Sequence, residues 1–179
     1  YRDGLRGQLR EAYGRIVYTY TTYLKMMSRL DKNNRRIKCV QIVLSAVSTG
    51  GFIGSMITNQ FVLTVIGGIF STALLGLNLF FKEISLADQS KQCRIASDNL
   101  WLIRERYISL LTDFDVLSDN EIVIKRDELQ ELTFDVYNKS MKTDAKSYNA
   151  AQKALKTEEE QFFTPDDTPL AYYLKSKNT

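Results

Sequence analysis

The sequence predicts an all-α membrane protein: a helical hairpin within the bilayer, continued by long antiparallel cytoplasmic helices and joined to further C-terminal cytoplasmic helices. Three observations carry this. No Asp, Glu, Lys or Arg occurs from residue 39 to residue 81. Both flanks repeat apolar residues in steps of three and four, the period of a helix face. No run alternates apolar and polar residues as a half-buried strand must.

Residues 39–57 (CVQIVLSAVSTGGFIGSMI) and 61–81 (FVLTVIGGIFSTALLGLNLFF) are separated only by Thr58, Asn59 and Gln60. At ~1.5 Å rise per residue they reach roughly 28 and 31 Å, close to the ~30 Å hydrocarbon core. Two uncharged stretches of spanning length joined by a minimal polar turn form a hairpin. The alternative is a pair of core helices in a soluble protein, but such helices seldom lack a charged face for so long.

Charge sets the topology. Residues 1–38 hold ten Lys/Arg against three Asp/Glu, residues 82–117 five against six, and residues 118–179 nine against twelve, so the basic excess precedes the apolar block. Arg29, Lys32, Arg35, Arg36 and Lys38 lead into the first span, and Lys82, Lys91 and Arg94 come after the second. The connecting turn carries no charge. By the positive-inside rule both ends face the cytoplasm, and the turn crosses cheaply. Arg35, Arg36, Lys38 and Lys82 are the membrane-flanking basic residues, placed to fix topology and meet lipid headgroups.

Glycine-rich "STGGFIGS" (48–55) would break a helix in water. In lipid it reads differently. Ala46, Gly50 and Gly54 recur every four residues, a small-residue stripe that lets another helix approach closely. Thr64, Gly68, Thr72 and Gly76 repeat that spacing in the second span. On the opposite side of the first span, Gln41, Ser45, Ser48 and Ser55 fall within about 80° of one another at about 100° per residue. Thr64, Ser71 and Asn78 recur every seven. These mildly polar faces are candidate pore linings in an oligomer enclosing a wet path. Back-bonding of hydroxyls to helix carbonyls is the simpler account of the same residues.

The flanks carry helical seams of their own. Upstream (5–38), Leu5, Leu9, Tyr13, Ile16, Tyr20, Tyr23, Met27 and Leu30 keep a period near 3.5. Downstream (82–116), Leu86, Cys93, Ala96, Leu100, Ile103, Tyr107, Leu110 and Phe114 do the same. They extend the hairpin as an antiparallel cytoplasmic stalk, with Asn33-Asn34 as a kink near the bilayer surface. Ser118-Asp119-Asn120-Glu121 has the S-x-x-E form of a capping box and opens a helix to about Tyr137. Thr143-Asp144 opens another, carrying Tyr148, Ala151, Leu155, Glu158 and Phe162, so that C-terminal helices occupy 118–164. Pro165 and Pro169 then interrupt the helical pattern, with a short terminal helix expected in 164–175.

No catalytic site, metal site or cofactor is expected. Histidine is absent, which removes the commonest general base and most zinc sites. Cys39 and Cys93 form no CxxC pattern, which fits a reducing, cytosol-facing setting. The glycines of 50–54 are no phosphate loop, since no GK[ST] comes after them. Lys146, Lys153 and Lys156, with Lys142 and Tyr148, are candidates for a phosphate-bearing ligand, nucleic acid or partner. The three consecutive glutamates from residue 158 favour an ordinary solvated face instead.

In order, the chain carries "YGRIVYTYTTYLKMMSRLDKNNRRIKCVQIVLSAVSTGGFI", "LLGLNLFFKE", "LWLIRERYISLLTDF" and "TDAKSYNAAQKALKTEEEQFFT". This order resembles the SLATT family, two-transmembrane effector domains of bacterial conflict systems associated with SMODS nucleotidyltransferases and SLOG domains. The likeness covers roughly residues 5–164, so that 1–179 reads as a single SLATT-like domain. The YTY, KSY and EEQFF segments look closest to the reverse-transcriptase-associated form. The resemblance implies an oligomer in the bacterial inner membrane that permeabilises it on a cytoplasmic signal, stopping the cell before phage release. It also implies a partner: a reverse transcriptase, a nucleotidyltransferase or a SLOG protein, with a nucleotide or nucleic-acid signal. A passive membrane anchor for a partner enzyme and a constitutive ion channel are the competing readings.

Overall fold

The computed structural model describes residues 1–58 and 61–158, and among them five helices and no strand. They are α1 (Arg2–Thr58), α2 (Phe61–Glu83), α3 (Leu86–Thr112), α4 (Asp119–Lys139) and α5 (Ala145–Lys156). The all-α expectation holds. The chain divides into two compact units, one of Tyr1–Ser28 with Lys91–Thr179, the other Arg29–Ser90. The turn residues Asn59 and Gln60, and the expectations for Phe162, Pro165, Pro169 and the 164–175 helix, lie outside the described residues.

The first unit is built on the start of α1. Its contacts with α4 keep one register: Arg2 pairs with Asp119 at 3.2 Å, Gln8 with Arg126 at 3.3 Å, and Thr19 with Tyr137 at 3.2 Å. The two helices therefore run parallel. α3 runs against α4, with Arg106 on Glu128 at 3.3 Å and Cys93 on Met141 at 3.7 Å. Every residue of the expected upstream seam within this unit is buried or half-buried. Of the downstream seam here, Cys93, Ala96, Leu100, Ile103, Tyr107, Leu110 and Phe114 are all buried. Full burial of side chains such as Leu9 and Leu100 is worth about 1.5–3 kcal/mol each.

Burial on α1 goes further than one seam. Ala12, Val17, Tyr18, Thr21 and Thr22 are also buried, on a stretch of α1 that α4 meets through Tyr137 on Thr19 and α5 through Tyr148 on Tyr18. The threonine hydroxyls there donate to Val17 O (2.8 Å) and Tyr18 O (2.7 Å), so neither enters the core unsatisfied. Tyr18 stacks on Tyr148 of α5 with ring centroids 6.1 Å apart.

Caps end these helices where the sequence chemistry places them. Ser118 and Glu121 form the full capping box of α4, and the Asp144 side chain accepts from Ser147 N at 2.8 Å to start α5. One boundary differs from expectation. Residues 82–116 read as one helix, but the chain breaks at Ile84 and Ser85. There the Ser85 hydroxyl accepts from Asp88 N at 3.2 Å and starts α3. α1, by contrast, passes through Asn33-Asn34 as continuous helix.

Candidate functional site

The second unit is the hairpin. Along α1, Leu30, Asn34, Ile37, Gln41, Leu44, Ser48 and Gly51 are buried or half-buried, in steps of four and three. Along α2, Leu63, Gly67, Phe70, Leu74, Leu77 and Phe81 keep the same rhythm. This is a coiled-coil-like seam between antiparallel helices. Most of the rest of the spans is open: among the described residues of 39–81 only Ser48 and Gly67 are buried, and outside the seams only Gly54, Gly68 and Ser71 are half-buried. Met56 is 88% exposed and Phe61 80%. Core helices of a soluble protein would hide these side chains, whereas lipid tails solvate them.

Toward the turn end of the seam the backbones nearly touch. A Cβ added at Gly51 would meet Gly67 Cα and Leu63 O at 3.3 Å, and one at Gly67 would meet Ser48 O at 3.3 Å. Around this crossing the polar residues of the two helices find each other. The Ser48 hydroxyl bonds to the Ser71 hydroxyl and donates to Gly67 O at 3.2 Å. Gln41 Nε2 donates to Asn78 Oδ1 at 2.9 Å. Near the basic end, Ser90 donates to Asp31 at 2.6 Å.

The candidate pore-lining residues thus divide. Gln41, Ser48, Ser71 and Asn78 pair across the hairpin, while Ser45 and Thr64 are exposed. The side chain of Ser55 lies outside the described set. The packing stripe faces elsewhere: nothing lies within 4 Å of a Cβ at Gly50, Gly68 or Gly76, Gly54 has only Leu63 Cδ1 at 3.5 Å, and Ala46 and Thr72 are exposed. The tight contact inside the hairpin belongs to Gly51 and Gly67, which sequence reasoning passes over. Their signal is the spacing 41, 44, 48, 51, which puts Gly51 on the face of Ser48 rather than of Gly50. Two exposed hydroxyls are settled locally: Thr49 donates to Ser45 O at 2.9 Å and Thr72 to Gly68 O at 3.0 Å.

Arg35, Arg36, Lys38 and Lys82 are all exposed. On α5 the candidate lysines share the exposed face, and Tyr148 stands apart from them against Tyr18. Ser147, Ala151, Ala154 and Leu155 form its buried face. Lys146, Lys153 and Lys156 are all exposed and fall within about 80° of one another at about 100° per residue, and Lys153 pairs with Glu158 at 3.2 Å. In the first unit, a cavity of about 410 Å³ between α3 and α4 is lined by Ile95, Leu102, Leu132 and Val136. Its cations are matched, Arg106 with Glu128 and Lys139 with Asp135 at 2.8 Å.

Two tyrosines of this unit titrate above the ordinary phenol value for structural reasons. Burial raises the Tyr23 and Tyr107 phenols above the ordinary value of 10.0, and the Tyr23 hydroxyl donates a 2.7 Å hydrogen bond to Met141 O that only its protonated form can make. Among the described residues no group of three or more His, Cys, Asp or Glu is placed to hold a metal ion.

The sequence model of the SMODS and SLOG-associating 2TM effector domain family 4 matches residues 5–167. No curated protein matches the chain, and no solved structure does.

Proposed function

Because the chain belongs to family 4 of the SMODS and SLOG-associating two-transmembrane effector domains, we propose that it is a membrane effector of a bacterial anti-phage conflict system. It sits in the inner membrane with both ends cytoplasmic. On a cytoplasmic signal it assembles with further copies and permeabilises the membrane, which ends the infected cell. The signal comes from a partner of the nucleotidyltransferase, SLOG or reverse-transcriptase kind, as a nucleotide, a nucleic acid or a protein contact.

One observation carries this reading: the hairpin is self-satisfied inside and unfinished outside. Its polar side chains Gln41, Ser48, Ser71 and Asn78 are paired within one chain, while its glycine faces at Gly50, Gly68 and Gly76 meet nothing. In lipid, apolar side chains gain little by leaving the tails, so helix association relies on close backbone approach. Open glycine faces are where a second hairpin can come close. On assembly the Ser48–Ser71 and Gln41–Asn78 pairs are the groups that would have to part for a wet path to open, and the α5 lysines offer a surface to the partner.

Expression in cells tests the proposal. Toxicity that needs both the chain and its genomic neighbour, and is lost on Gly50→Leu, is the expected result. Harmlessness under all conditions points to a passive anchor, and leakage without any partner to a constitutive channel.

A further inference from the structure

A groove of about 720 Å³ lies between α1 and α2 in the hairpin unit. That volume is within the range of roughly 300–1,000 Å³ usual for ligand sites. Lys38, Ile42, Ala46 and Gly50 line it in steps of four along one helix face, opposite Leu74 and Asn78. Its polarity is graded. Lys38 is the last charge before the apolar span and is exposed. The Asn78 carbonyl oxygen is already taken by Gln41 at 2.9 Å, and the Thr49 hydroxyl, in the same wall, donates to Ser45 O at 2.9 Å. Beyond Lys38 the lining is mostly hydrocarbon, from Ile42, Ala46 and Leu74, interrupted by the Gln41 and Asn78 amides, which bond to each other, and by the Ser45 hydroxyl. The deep end stays open because Gly50 has no side chain and nothing within 4 Å of where one would start.

Length matches as well. The twelve steps from residue 38 to residue 50 rise roughly 18 Å, slightly more than half of a ~30 Å hydrocarbon core. A slot that begins at a cation at the membrane surface and ends near mid-bilayer has the dimensions of one leaflet.

We infer that this groove binds one acyl chain of an anionic phospholipid, whose headgroup phosphate lies on Lys38. Charge complementarity selects the headgroup, and Arg35, exposed one turn earlier, adds to the same field. A lysine beside an anionic headgroup is worth about a fivefold preference over a zwitterionic one. The bound chain fills the space over Ala46 and Gly50, so it competes with any helix that would pack there. The inference rests on the proposed membrane insertion of the hairpin.

The experiment uses the full chain purified in mild detergent, exchanged with phosphatidylglycerol or phosphatidylcholine, and weighed intact by native mass spectrometry. Carbonate extraction of the starting membranes comes first. A chain released by carbonate overturns the membrane reading and this inference with it. For a chain that stays inserted, the expected result is about one retained phosphatidylglycerol per protomer, several-fold more than phosphatidylcholine. Lys38→Gln should lose most of that preference while still retaining lipid, and Gly50→Phe should abolish retention. Equal retention of both lipids, unchanged by either variant, overturns the inference alone. So does efficient disulfide formation between copies of a Thr49→Cys variant in phosphatidylglycerol vesicles with neither partner nor signal present, because a second protein copy would then occupy the groove of the resting chain.

Discussion

The Ser48 and Ser71 hydroxyls meet across the hairpin, and Ser48 also donates to the Gly67 carbonyl at 3.2 Å. Two residues that look like the polar lining of a channel when each helix is read alone are partners within one chain. Their bond joins the two helices beside the close approach of Gly51 and Gly67.

That pairing predicts coupling. Ser48→Ala and Ser71→Ala should each weaken the hairpin, and the double variant should be less harmful than the sum. A double-mutant cycle on unfolding in micelles should give an interaction of about 0.5–1.5 kcal/mol, the range of interhelical hydrogen bonds in membranes. Strict additivity would mean that the hydroxyls do not hold the spans together.

Neighbouring glycines should behave oppositely. Gly51→Ala brings a methyl to 3.3 Å from the Gly67 Cα, a backbone atom that cannot swing aside, and should cost roughly 1–3 kcal/mol of hairpin stability. Gly50→Ala enters open space and should leave the monomer's stability within about 0.5 kcal/mol, or raise it slightly through helix propensity. Thermal unfolding of the two variants in one detergent compares them directly.

How much of the fold is legible in the sequence depends on the type of signal. The apolar seams of the flanks and the Ser118–Glu121 cap are local patterns, and burial and hydrogen bonds agree with them. The Ser85 start of α3 is equally local, an S-x-x-D ending at Asp88, but it sits among apolar residues that suggest an unbroken helix. Faces are harder. Periodicity places Gly50 and Ser48 on different sides of α1, yet it does not say which side meets α2, because both carry small residues. The contact is decided by register between two helices, information that neither helix holds alone. On α5 the lysines fall at helical spacing, but Tyr148 is drawn to Tyr18 by stacking, which no local pattern announces.

The α4 cap predicts an acid limb in stability. Two hydrogen bonds from Ser118, one from its hydroxyl and one from its backbone N–H, hold the Glu121 carboxyl below its ordinary 4.5. Its folded value is depressed, so its contribution is present above the unfolded value and fades as pH falls through the folded one. Glu121→Gln should remove that limb, and Ser118→Ala should cost about 1 kcal/mol at neutral pH. Circular dichroism melts across the acid range measure both.

An alkaline limb should come from Tyr23 and Tyr107. Both phenols are raised above 10.0 by burial, so folding is fully supported below that value and weakens as pH rises through the higher folded values. Tyr107→Phe should flatten this limb, while Tyr23→Phe should flatten it and also lose the bond to Met141 O. Melts from about pH 9 upward, compared with wild type, separate the two contributions.

Release of a trapped dye from proteoliposomes tests the central claim most directly. The full chain is reconstituted in vesicles of bacterial lipid, and its genomic partner is added with the activating signal. The account predicts dye release only when chain and signal are both present, and its loss on Gly50→Leu. Vesicles that stay sealed with the inserted, folded chain under every activating condition would contradict it.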